Sequence, residues 1–192
     1  MPLARLLVLA VLLLSVVPGL ADTPLARYSA EGLLYPPADY REWAYLSTGL
    51  DMSYSEQPQE PGHAVFDNVF VDPRSWGTFK RTGQWPDGAM FVLEVRRASS
   101  EGSILKQGSY QTGEVVDLEM HVRDGARFPG GWGFFTFDGD KPAKLLPQTE
   151  RCYACHEAHG AVDTTFTQFY PTARAIAIKS GHFRPEVPVP SP

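Results

Sequence analysis

The chain has 192 residues and carries 17 basic and 22 acidic side chains, for a formal net charge of −5 at pH 7. This length suits one domain with a substantial hydrophobic core. The basic residues form no cluster along the chain, so we expect no binding to nucleic acid.

A secretory signal peptide is predicted at residues 1–21. Arg5 precedes an apolar run at residues 6–17, and small residues, Gly19 and Ala21, occupy the positions that a signal peptidase reads. The run is shorter than the roughly 20 residues that span a bilayer, so a membrane anchor is the less favoured interpretation. Cleavage after Ala21 would leave 16 basic and 22 acidic residues, a net charge of −6, in a periplasmic chain that is not bound to a membrane.

Helices and strands follow in a mixed order along the mature chain. The predicted elements are helix 36–49, loop 51–62, strand 64–71, helix 72–83, strands 89–97, 103–111, 115–123 and 132–137, and helix 168–179. Asp72 and Pro73 are typical of an N-cap and a first helical turn, and Gly83 of a helix end. From Val116 onward, apolar and polar residues alternate, as expected for a half-buried strand.

The two cysteines of the chain lie in one short motif, Cys152-Tyr153-Ala154-Cys155-His156. In an exported protein this spacing is the attachment signature of c-type haem. Both thiols add to the vinyl groups of one haem, and the following histidine ligates its iron. A redox dithiol, a zinc site that includes His159 and a small disulfide ring are the alternatives. We expect one covalent haem, with His156 as the metal ligand.

The order of elements predicts an α+β fold in a single domain, residues 22–184. A run of strands with short connections gives a mostly antiparallel β-sheet with flanking helices, followed by a C-terminal haem-binding segment. Residues 185–192, with four prolines, are predicted to form a flexible tail.

Several segments resemble the cytochrome P-460 family of bacterial exported haem proteins, from about Tyr35 to Lys179. They are Tyr40-Arg41-Glu42-Trp43, Val69-Phe70-Val71-Asp72-Pro73, Thr82-Gly83, Asp87-Gly88, Arg127-Phe128, Gly131-Trp132-Gly133-Phe134-Phe135, the haem motif, Asp163, Phe166 and Phe169-Tyr170-Pro171. The resemblance implies an antiparallel sheet that carries a five-coordinate haem with one open side, and it suggests a homodimer. Members similar to the namesake oxidise hydroxylamine and cross-link their haem to a lysine. The cytochromes c′-beta lack that bond and bind gases such as nitric oxide.

The position that matches the family lysine is Leu93, counted from Asp87-Gly88. Leucine cannot form the cross-link. Lys80 and Lys106 are the nearest lysines and neither matches, which leaves Lys106 as the alternative cross-linking residue. The sequence therefore favours the branch without the cross-link.

Strand alternation predicts an apolar wall beside the haem. If Leu93 faces the ring, Phe91 and Val95 do as well, and we expect Phe91 to contact the open side. Such a wall admits diatomic gases but supplies no proton acceptor, which hydroxylamine oxidation requires. Asp67 on the neighbouring strand is the candidate distal base, and its alternative is a solvated strand residue.

An electron-transfer cytochrome would need a sixth iron ligand. The side chains available for this are Met52, Met90, Met120, His63, His121, His159 and His182. Asp163 is expected to fix the haem-bearing loop, to hydrogen-bond His156 or to cap the next helix. The predicted function is binding or detoxification of nitric oxide or a related nitrogen species, with hydroxylamine oxidation and electron transfer as alternatives. A soluble redox partner would be compatible with the acidic charge.

Overall fold

The computed structural model describes residues 26–53, 64–149 and 151–190. Five antiparallel strands form one sheet in the order β1-β2-β3-β4-β5, so each strand pairs with its neighbours in sequence. The strands are β1 (Ala44–Leu50), β2 (Val65–Val71), β3 (Met90–Ser99), β4 (Tyr110–Arg123) and β5 (Trp132–Thr136). The helices are α1 (Pro73–Thr82), α2 (Arg151–His159) and α3 (Pro171–Ser180). The predicted α+β class is confirmed.

Helix α1 shows how the sequence sets its own boundaries. The Asp72 side chain accepts a hydrogen bond from the Ser75 N–H at 2.8 Å, and Pro73 follows as the first helical residue. Gly83 ends the helix with a φ of 74°, in the left-handed region. A Cβ on Gly83 would also lie 1.8 Å from Ser180 Oγ, so the same glycine lets α3 approach.

The two faces of the sheet bury two separate cores. Alternate residues of the strands, such as Val71 and Phe91, face a cluster that α1, α2 and α3 cover. The intervening residues, such as Met90 and Val92, face a second cluster closed by the N-terminal segment, including Leu34. Both faces are covered, as the order of elements predicted.

Glu94 carries a charge into the second face. Its carboxylate accepts hydrogen bonds from Tyr40 Oη, from Arg41 Nε at 2.8 Å and from Arg96 Nε at 2.5 Å. Burial disfavours the charged form, but the three donors outweigh it and hold the pKa of Glu94 below its ordinary value. Through Tyr40 and Arg41, these hydrogen bonds connect the N-terminal segment to β3.

Two predicted elements are wrong. Over residues 36–49 only Tyr40–Glu42 is helical, as a 3-10 turn, and β1 follows, because pairing with β2 outweighs local helix propensity. Residues 103–109 form a loop, and β4 (Tyr110–Arg123) joins the end of the predicted strand 103–111 to the predicted strand 115–123 without a break. Most of the predicted loop 51–62 lies outside the described residues.

The described helices include none that is both long and apolar enough to cross a membrane. The predicted signal peptide, residues 1–21, lies outside the part of the chain that the structure describes. Of the predicted tail, residues 185–190 are described, and within them the side chain of Val187 is buried.

Candidate functional site

The Cys-x-x-Cys-His motif lies on helix α2. Cys152, Cys155 and His156 are spaced i, i+3 and i+4, which places them on one face of that helix. Neither cysteine is in a disulfide, and both are partly buried. The ring of Tyr153 packs against Phe134 of β5 at a centroid distance of 5.9 Å, which fixes the helix against the sheet.

The imidazole of His156 is held in one orientation. Its Nδ1 lies 2.8 Å from the carbonyl oxygen of Thr164, so Nδ1 carries the proton and Nε2 keeps the lone pair. The ring stacks on Phe166 at a centroid distance of 4.0 Å. Burial lowers the pKa of His156 to about 4, although the Thr164 carbonyl acts in the opposite direction. The ring is therefore neutral at pH 7, with Nε2 available as a metal ligand.

Asp163 fixes the loop that carries Thr164 and does not hydrogen-bond His156. Its carboxylate accepts from Arg123 Nη1 at 2.6 Å, and Arg123 also donates to the Trp85 carbonyl at 2.6 Å. Asp163 has a φ of 51°, a backbone conformation that this ion pair helps to hold. Gly160 lets the loop fold onto α2, since a Cβ there would lie 2.7 Å from the carbonyl oxygens of His156 and Asp163.

A cavity of about 570 Å³ opens between α2, the segment 166–170 and the sheet. Every predicted site residue contributes to its lining, namely Cys152, Cys155, His156, Phe91, Leu93 and Asp67. This volume lies within the range of cofactor cavities. Two thiols and a neutral imidazole on one wall are the donor set that c-type haem uses, so the residues present fit the group.

The sheet residues at and beside the cavity form three rows, about 7 Å apart from row to row. The first row pairs Phe91 with His121, the second pairs Leu93 with Glu119, and the third pairs Val95 with Asp117. Val95 and Asp117, in the third row, do not line the cavity. We call the first row, with His156, the His156 end. We call the region of Glu119 and Asp67 the carboxylate end.

Aromatic rings close the His156 end. His121 lies beside His156 at a centroid distance of 4.9 Å, and its Nε2 is 3.0 Å from Thr164 Oγ1. Burial, together with His156, holds the pKa of His121 well below its ordinary value, so the ring is neutral. Phe91 contacts the His121 ring at 5.8 Å, which places it at this end and not at the carboxylate end.

The carboxylate end holds two acidic side chains. Asp67 is only 8% exposed, and its Oδ2 has no hydrogen-bond partner among the described residues. Burial raises the pKa of Asp67, and Asp51 adds to this, while the Met52 N–H, which donates to the carboxylate, acts against it. Burial also raises the pKa of Glu119, to about 7, with contributions from Asp117 and Asp67.

Glu119 is the residue that sequence reasoning missed. Phe91 and Leu93 of β3 give the cavity an apolar wall, and Glu119 adds a proton acceptor from β4. The polar positions Asp117, Glu119 and His121 of β4 look like the solvated side of a half-buried strand. Helices cover that side instead, so these residues face the cavity and its surroundings. The feature that identifies Glu119 as a cavity residue is its pairing with Leu93. This pairing can be recognised only when the register between β3 and β4 is known.

No lysine of the described residues lines the cavity. Lys80 lies on α1 with its Nζ 5.8 Å from the Trp76 ring centroid, and Lys106 lies in the exposed loop after β3. Leu93 occupies the middle row of the lining. The structure therefore brings neither lysine to the predicted cross-link position.

Of the suggested sixth ligands, His63 lies outside the described residues, and the others are spread over the structure. Met90 is buried in the second core, on the face opposite to the cavity, and His159 and His182 are exposed. Met52 lines the cavity at the carboxylate end, and Met120, although a lining residue, packs into the second core. Among the described residues, no three Cys, His, Asp or Glu side chains form a metal-binding cluster, so the zinc set with His159 is not assembled.

Two thiols and a neutral histidine facing one cavity define a haem-binding cytochrome. The family model for Cytochrome P460 matches residues 37–167, more than half of the chain. The chain belongs to the cytochrome P460 family. No curated protein matches it.

Proposed function

We propose that this protein is an exported mono-haem c-type cytochrome that binds nitric oxide or a related small nitrogen species. Cys152 and Cys155 would attach the haem, and His156 Nε2 would ligate its iron. The bound haem supplies an iron with an open coordination position and the capacity to exchange electrons. The observation that carries the proposal is the orientation of His156, fixed through Nδ1 by the Thr164 carbonyl at 2.8 Å.

The lining favours a small ligand and an iron without a second strong protein ligand. His121 hydrogen-bonds Thr164 beside His156, and Met90 lies on the other face of the sheet. Leu93 and Val69 form the apolar part of the middle row, next to Glu119, and a diatomic molecule is small enough to bind against them. Glu119 and Asp67 would then be the acidic side chains in the cavity available to a small ligand.

The test is the mass and optical spectrum of the mature protein, produced together with a haem-attachment system. We expect the mass of residues 22–192 plus one haem, a high-spin ferric spectrum and uptake of nitric oxide by the ferrous form. A low-spin spectrum that resists nitric oxide would contradict the proposal. A ferrous band shifted far to the red would indicate a cross-link, with Lys106 as the residue to replace first.

Hydroxylamine oxidation is the second candidate, and Glu119 is the observation that favours it. The reaction removes protons from its substrate, and a carboxylate with a pKa of about 7 in the same cavity is suited to accept them. Glu119→Gln should lower hydroxylamine turnover by about 10²- to 10⁴-fold and leave nitric oxide binding intact. Wild-type protein that binds nitric oxide but does not turn over hydroxylamine would exclude this candidate.

Location and partners are part of the proposal. We place the mature protein in the periplasm, with a soluble redox partner and as a homodimer. The support is the leader-like sequence at residues 1–21, the acidic charge and the family resemblance. Fractionation of cells that express the full chain, followed by sizing of the mature form, tests both points.

A further inference from the structure

Charge is distributed unevenly over the surface of the protein. Helices α1 and α3 carry five basic side chains and no acidic one, in a chain where acidic residues outnumber basic residues by 22 to 17. The two helices are far apart along the chain, so the sequence shows no basic cluster. The fold brings them into contact. A basic region therefore exists on the surface of an acidic protein.

The two helices meet at their C-terminal ends. A Cβ on Gly83 would lie 1.8 Å from Ser180 Oγ and 3.5 Å from His182 Cδ2. Lys80 is in the last turn of α1, three residues before Gly83. Lys179 directly precedes Ser180, so both lysines lie within one helical turn of the contact.

We call Lys80, Arg81 and Lys179 the basic face. All three side chains are exposed, and no carboxylate of the described residues forms an ion pair with any of them. Arg81 Nη1 donates to the Gly77 carbonyl at 2.7 Å, and Lys80 Nζ lies 5.8 Å from the centroid of the Trp76 ring. These contacts leave the positive charges without a counter-charge.

Acidic residues next to the two helices have other partners. Asp87, after α1, accepts a hydrogen bond from the Gly125 N–H at 2.9 Å. Glu186, after α3, accepts from Arg184 Nε at 2.8 Å. Asp72 is buried at the opposite end of α1, where it caps the helix. Cations also stabilise helix C-termini, and this is an effect on stability that is separate from binding.

A series of packed aromatic rings connects α1 to the cavity. Trp76 stacks on Trp85 at a centroid distance of 6.4 Å, and Trp85 contacts Phe91 at 4.7 Å. Phe91 contacts His121 at 5.8 Å, and His121 lies 4.9 Å from His156. Electrons tunnel more readily through closely packed atoms than through gaps. The ring that Lys80 covers is therefore the outer end of a packed path to the residue that would ligate the iron.

We infer that the basic face is the docking site for an acidic electron-carrier protein. Complementary charges steer the carrier to α1 and α3, although both proteins carry a net negative charge. After docking, one electron passes between the redox centre of the carrier and the haem iron. One centre is oxidised as the other is reduced, and no bond forms or breaks. This step rests on the proposed function, since it needs the haem, but the charge distribution does not.

The test is the reduction of the ferric holoprotein by a reduced plant-type 2Fe–2S ferredoxin, an acidic one-electron carrier, followed by stopped-flow absorbance. The net charges alone predict a rate that rises with ionic strength, because salt screens the repulsion between two acidic proteins. Docking at the basic face predicts a second-order rate constant that falls as salt is added. A rate constant that rises with salt would overturn the inference.

Charge reversal then locates the docking site. We expect the double variant Lys80→Glu, Lys179→Glu to lower the rate constant at low ionic strength about 10-fold or more. The matched control is Arg27→Glu, Lys144→Glu. It makes the same change in net charge at exposed positions beside the segment that covers the other face of the sheet, where Leu34 pairs with Ala143. The control should stay within about twofold of the wild type.

A neutral variant separates docking from damage to the helices. Lys80→Gln, Lys179→Gln adds no acidic group, and we expect it to lower the rate constant about threefold or more with little change in Tm. Equal rate constants in the two charge-reversal variants would contradict the inference. So would lysine-dependent binding to anionic lipid vesicles together with lysine-independent reduction. Absence of the haem mass from the wild type would refute the proposed function instead, before any rate is measured.

Discussion

At the residue scale, Thr164 hydrogen-bonds two histidines. Its carbonyl oxygen accepts from His156, and its hydroxyl is 3.0 Å from His121 Nε2. The residue is buried, so its hydroxyl links β4 to the loop after the haem motif in a place without competing water.

Replacing the hydroxyl should therefore cost stability without moving the carbonyl. We expect Thr164→Val to lower the free energy of unfolding by about 1–3 kcal/mol, because a buried ring nitrogen loses its partner. Urea unfolding of the holoprotein measures this, and Thr164→Ser, which keeps the hydroxyl, is the matched control. Equal stability of the two variants would contradict the role of the hydrogen bond.

At the element scale, the Glu94 group connects the 3-10 turn at Tyr40–Glu42 to strand β3. Arg41 is half exposed, with 52% of its side chain accessible, while Glu94 is 3% accessible. The stabilisation by Glu94 therefore comes mainly from hydrogen bonds between its buried carboxylate and the three donors, and less from the ion pair with the exposed Arg41.

Glu94→Gln should destabilise the protein in a pH-dependent way. At pH 7 we expect a loss of about 2 kcal/mol, since two arginines lose a charged acceptor. The folded-state pKa of Glu94 lies below its ordinary 4.5, so this stabilisation is complete above about pH 4.5 and is lost as pH falls through the folded-state value. Urea unfolding at several pH values, with Glu114→Gln as an exposed control, should show the difference from wild type shrinking in acid.

At the scale of the whole molecule, the cavity lies between α2 and the sheet, and we expect a bound haem to complete the core there. Removing both thiols in a Cys152→Ala, Cys155→Ala double variant should abolish covalent attachment, so the denatured protein should lack the haem mass. We also expect a lower Tm, since a group that binds only the folded state stabilises it. Ala158→Ser, exposed on the same helix, is the control, and haem mass retained in the double variant would contradict the assignment.

Local signals in the sequence determined the boundaries of α1, the haem-binding donor set and which strand residues share a face. Asp72, Pro73 and Gly83 defined α1, because capping and left-handed geometry depend on the residues at those positions. The Cys-x-x-Cys-His motif identified the donor set in the same way, since its three groups lie within two turns of one helix. Period-two alternation also predicted that Leu93 and Phe91 share a face.

Only the tertiary structure decided which neighbours those faces meet. Helix propensity at residues 40–46 lost to pairing with β2, a contact some 20 residues away along the chain. Glu119 entered the cavity because β4 pairs with β3 in one register and helices cover that face, and a shift of one residue would have turned it to the other core. Strand register and helix docking are long-range choices, so the carboxylate end could not be derived from local sequence alone.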